Sequence, residues 1–73
     1  MTQQAFLIEM QEEILDTEIE ITMETQLAQI ADWDSIAYVT FLASMSDFTE
    51  KKISPQAVRQ AVTVGDLYHL AFD

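Results

Sequence analysis

The chain has 73 residues, 49% of them apolar, with one glycine, one proline and no cysteine. It is therefore expected to form a single domain over residues 1–73, held by packed side chains without disulfides or thiolate metal sites. Thirteen acids against three bases leave a net charge of -10, and the first 50 residues carry 11 acids and no base, which excludes nucleic acid as an expected partner and favours basic ones.

Apolar side chains at Phe6, Leu7, Met10 and Ile14 follow helical three-and-four spacing, with Glu9, Glu12 and Glu13 opposite, and predict a first helix over residues 2–15. Residues 16–33 lack that period. Ile19, Ile21 and Met23 alternate there as in a strand, but no second strand is evident to pair with it, so the segment reads as a long loop anchored by Ile and Leu side chains. A second helix opens at Asp34, which can cap it, with Trp33 and Tyr38 placed as a hydrophobic staple. From Ser35 to about Asp47 this helix is apolar almost all round and is expected to be the most buried. Ser54 with Pro55 marks a short third helix to about Gln60. Thr63 with Asp66 forms a capping box for a fourth, running to about Phe72 with Leu67, Leu70 and Ala71 inward. The fold class is all-α, a small four-helix bundle with a long loop after its first helix. No apolar run approaches the ~18 residues of a membrane span, and the N-terminus does not read as a secretory signal. A cytoplasmic protein without membrane insertion is expected.

The chain is not expected to be an enzyme. Its only histidine, His69, lies far from any nucleophile that it could activate and reads as a half-exposed surface residue. Glu12 and Asp16, four apart, read as part of a solvated acidic face rather than as metal ligands, and the single glycine, Gly65, leaves no calcium-binding, P-loop or dinucleotide motif. The segment Ala31-Asp32-Trp33-Asp34-Ser35-Ile36 stands at the junction of long loop and second helix. A serine just after a capping aspartate lies at the mouth of the helix, where free amides and the macrodipole favour a negative group such as a phosphodiester. An arm grafted there is free to swing into solvent.

The motif Asp34-Ser35-Ile36 resembles the Asp-Ser-Leu signature of acyl carrier and peptidyl carrier proteins. The likeness extends over nearly the whole chain: acidic first helix, long loop with Leu27, motif, short third helix, and the closing Thr-Val-Gly-Asp-Leu. Trp33 makes it similar to D-alanyl and stand-alone carriers. The resemblance implies a cofactor, 4'-phosphopantetheine, attached covalently to Ser35 from coenzyme A by a phosphopantetheinyl transferase that uses magnesium, with Asp34 as helix cap and motif residue. It implies further partners: an acyl- or aminoacyl-loading ligase and a downstream acyltransferase or synthase. Ile36, Val39 and Ala43, with Trp33 and Asp32, would face those enzymes, while Phe41, Leu42 and Met45 would face the core or the cargo.

Two departures from the family pattern matter. Asp32 replaces a frequent glycine, and Ile36 replaces the usual leucine with an equally apolar side chain. The middle of the second helix, residues 37–44, carries no charge, unlike the acid-studded helix of fatty acid carriers, so the expected role is a carrier in a specialised pathway. The alternative from another class is an unmodified helical interaction module that uses the apolar, acid-rimmed face of the second helix. A third, an acidic metal-binding protein, would bind divalent ions without needing Ser35.

Overall fold

In the computed structural model, which describes all 73 residues, the Thr2 hydroxyl accepts a hydrogen bond from the Ala5 amide at 3.1 Å and starts helix α1 over Gln3–Glu9. From Met10 to Ile14 the helix widens. The Leu15 amide reaches the Met10 carbonyl at 2.8 Å and the Thr17 amide reaches that of Gln11 at 3.0 Å, five and six residues back instead of four. Asp16 then turns the chain out at φ 48°, a left-handed stop that a short polar side chain tolerates. The single regular helix expected over residues 2–15 is thus corrected in its second half. The widening accompanies the burial of both Ile14 and Leu15, neighbours in sequence that are 6% and 5% exposed.

The following connection carries a single turn of 3-10 helix at Leu27–Gln29, and Ile21, Leu27 and Ile30 anchor it in the core. Ile19 is no anchor, being 53% exposed. This segment does pair as a strand would, over one short stretch. The Leu27 amide donates to the Val62 carbonyl at 2.8 Å and the Val64 amide to that of Thr25 at 3.0 Å, with Gln26 opposite Thr63 in an antiparallel bridge. The partner absent from the sequence reading is the connection between the last two helices, which has no strand pattern of its own.

Helix α2 spans Ser35–Phe48, α3 Pro55–Gln60 and α4 Val64–Phe72. The expectation that α2 would be the most buried is corrected: only the i, i+4 stripe Ala37, Phe41 and Met45 is buried, and apolar residues on its other faces meet solvent. The shorter α4 buries Val64, Gly65, Leu67 and Ala71. Leu70 is half-buried. At the centre of the core, Phe6 of α1 sets its ring edge-to-face against Phe41 at 6.3 Å, Tyr68 at 5.2 Å and Phe72 at 6.2 Å. Rings from three helices thus meet at one side chain in the favoured T-shaped geometry.

The capping box of α4 forms as expected. The Thr63 hydroxyl accepts from the Asp66 amide at 3.1 Å, while the Asp66 carboxylate accepts from the amides of Val62 and Thr63, each at 3.0 Å. Those two backbone hydrogen bonds, Thr63 first, hold the Asp66 carboxyl below the usual carboxylate range. A group whose pKa is depressed by folding stabilises the fold above its unfolded pKa and loses that contribution as pH falls through the folded one. Below about pH 4, part of the acid destabilisation should therefore trace to this cap. Urea midpoints measured across that range should fall less steeply for Asp66→Asn than for the parent; parallel curves would count against it.

Candidate functional site

The approach to α2 is a series of tight turns. Ile30, buried at 4%, ends the 3-10 turn, its carbonyl accepts from the Trp33 amide at 3.1 Å, and the Asp32 carbonyl accepts from the Asp34 amide at 3.0 Å. Asp34 then caps the helix, its Oδ1 accepting from the Ala37 amide at 2.9 Å, and its carbonyl takes the Tyr38 amide at 2.9 Å. The amides of Ser35 and Ile36, within the first turn, have no intrahelical acceptor. Ser35 follows at the first helical position and is exposed to solvent. Asp34→Ala is expected to cost about 1 kcal/mol in urea unfolding and Asp34→Asn much less, since Asn caps almost as well; an equal loss for both would contradict the capping role.

Each remaining candidate has a definite place. Trp33 is half-buried and packs edge-to-face on Phe41 at 6.2 Å, and both it and Tyr38 pack against the core. Asp32 is exposed on the outside of the turn. Ile36 and Val39 are 75% and 60% exposed, and Ala43 is exposed as well, so the three form an apolar stripe at solvent. Phe41 and Met45 are fully buried and Leu42 is half-buried. His69 stands at the surface, paired with Asp73 one turn on. No three His, Asp or Glu side chains converge as metal ligands, and no helix is long and apolar enough to cross a membrane.

Helical rotation places these groups around Ser35. At about 100° per residue, Val39, Ala43 and Ile36 fall on one side of it, while Ser46, Leu42 and Tyr38 fall ahead of it and toward α3. Tyr38 makes the junction on that side: its hydroxyl donates to the Pro55 carbonyl at 3.1 Å and the Arg59 guanidinium lies over its ring at 5.4 Å. Beyond it an open groove of about 630 Å³ runs between α2 and the following connection, lined by Leu42, Ser46, Thr49, Ile53, Pro55 and the 50–52 charges. Both features escaped the sequence reading, because they depend on where α3 lands. On the far side, Ser44 donates to the Glu9 carboxylate at 2.8 Å and ties α2 to α1.

No family model matches this chain, nor does any curated protein or solved structure.

Proposed function

We propose that this protein is a carrier whose Ser35 takes a 4'-phosphopantetheine arm and presents a thioester-bound acyl or aminoacyl group to partner enzymes of a specialised cytoplasmic pathway. The observation that carries the reading is the setting of Ser35: an exposed hydroxyl at the first position of a 14-residue helix, behind a formed Asp34 cap. A phosphodiester there would meet the unpaired first-turn amides and the positive end of the helix dipole. The order of elements also supports it, with an acidic first helix, a long anchored connection, the motif, a six-residue α3 and a closing α4.

The arm would supply the thiol that bears the cargo; the chain's residues supply its placement. Asp34 shapes the helix start that holds Ser35 outward. Ile36, Val39 and Ala43 offer an apolar surface beside the attachment point, rimmed by Asp32 and Asp34, that a partner with an apolar centre and basic edge would cover.

The exposed stripe equally suits an unmodified interaction module, and Ser35 separates the two. Incubation with a broad-specificity phosphopantetheinyl transferase, coenzyme A and magnesium should add one phosphopantetheinyl group to the parent by intact mass and none to Ser35→Ala. Failure to gain mass with several such transferases would make Asp34-Ser35 a helix cap alone and favour the module.

A further inference from the structure

The groove beside α2 lies on the same helix face as Ser35. Ser35, Tyr38, Leu42, Ser46 and Thr49 follow i, i+3, i+7, i+11 and i+14 spacing, all within about 80° of one another around the axis. Leu42 and Ser46 stand about 10 and 16 Å along the helix from Ser35, and both line the groove. The opposite wall is the segment from Thr49 to Pro55, whose turn is set by the Lys51 amide donating to the Thr49 hydroxyl at 3.1 Å. An arm leaving Ser35 along this face passes Tyr38 and enters the groove at Leu42.

Two features decide what the groove would take. The core behind it is filled: Phe41 and Met45 are 0% exposed, and the rings of Phe6, Phe41, Tyr68 and Phe72 interlock, so an alkyl chain has no void to enter without displacing packed side chains. The charge of the groove is also opposite to that of the molecule. Of only three bases in a chain of net charge -10, two, Lys51 and Lys52, line this groove against the single acid Glu50. Lys51 donates to the Asp73 carbonyl at 3.0 Å. Lys52 is exposed, and the one ion pair of the structure, His69 with Asp73, leaves its ammonium free.

We infer that the cargo is a short acyl group ending in an anion, with its alkyl part against Leu42 and Ile53 in the α2–α3 groove and its charged end at Lys52. This rests on the carrier reading and names the class of cargo. It excludes long alkyl chains, which would have to open the core.

Because the chain has no cysteine, Ser35→Cys supplies a single thiol to which arms of pantetheine length can be tethered through a maleimide, whether or not any transferase recognises the protein. Three arms are compared by NMR: one ending in a butanedioic half-amide carboxylate, one in its uncharged primary amide, one in an octyl chain. The carboxylate arm should shift the methyl resonances of Leu42 and Ile53 and populate the groove about two- to fivefold more than the amide arm, the gain of one exposed ion pair. That preference should vanish in Lys52→Gln and fade with added salt. Equal shifts for carboxylate and amide, or none for either, would overturn the assignment; so would an octyl arm that moves the Phe41 and Met45 resonances. The mass measurement on Ser35 reads the carrier function separately, so a seated carboxylate arm on a protein that no transferase modifies would refute that function while retaining the anion-selective groove.

Discussion

Phe6→Ala is expected to remove about 3–5 kcal/mol of stability, the cost of deleting a large buried ring and leaving its cavity. Phe6 is wholly buried and is the side chain at which the rings of Phe41, Tyr68 and Phe72 meet, so the surroundings have little scope to collapse into the gap. At roughly 0.05–0.15 kcal/mol per residue, a domain of 73 residues has about 4–11 kcal/mol in all, so the loss is a large share of its stability. Urea unfolding followed by tyrosine and tryptophan fluorescence should show a much lower midpoint for the variant. Val39→Ala, at a position 60% exposed on the outer face of α2, should stay within about 0.5 kcal/mol of the parent. A loss below about 1 kcal/mol for Phe6→Ala, far under the usual aromatic truncation cost, would contradict the packing described for the three helices.

The second large effect is expected from the smallest side chain. Gly65 lies in the first turn of α4, and its amide donates to the Met23 carbonyl at 2.7 Å. A Cβ at position 65 would stand 2.8 Å from that same oxygen. The obstacle is backbone and cannot rotate away, so either α4 or the long connection must move. Alanine is the better helix former by about 1 kcal/mol, yet the overlap should outweigh this and leave Gly65→Ala less stable by about 1–3 kcal/mol. Amide exchange at Leu27 and Val64, the donors of the adjoining bridge, should quicken together. A more stable Gly65→Ala with unchanged exchange would mean that the close approach is absent in solution.

The legible parts of this fold are the local ones. The caps at Thr2, Asp34, Ser54 and Thr63 each join a side chain to an amide three residues on, and such contacts can be read from neighbouring letters. The motif around Ser35 is local in the same way, which is why its exposure at a helix start was foreseeable. The pairing of Gln26 with Thr63 was missed because one partner lies in a helix connection, and only the closeness that Gly65 permits brings them together. The burial of α2 was overestimated because composition counts apolar residues on every face, whereas packing against the first helix from Gln3 to Ile14 and the common core selects the stripe of Ala37, Phe41 and Met45. The groove at Leu42 and Ile53, and the stacking of Arg59 on Tyr38, depend on the path of the chain from Thr49 to Pro55, for which no pattern in the sequence sets a direction.

The carrier function is tested most directly on the protein as its own cells make it. Intact mass and fragmentation of the chain recovered from those cells should find a phosphopantetheinyl group on Ser35 and nowhere else, in part of the population at least, with any acyl cargo released by hydroxylamine as a thioester. A population wholly unmodified at Ser35 would contradict the function proposed for this site.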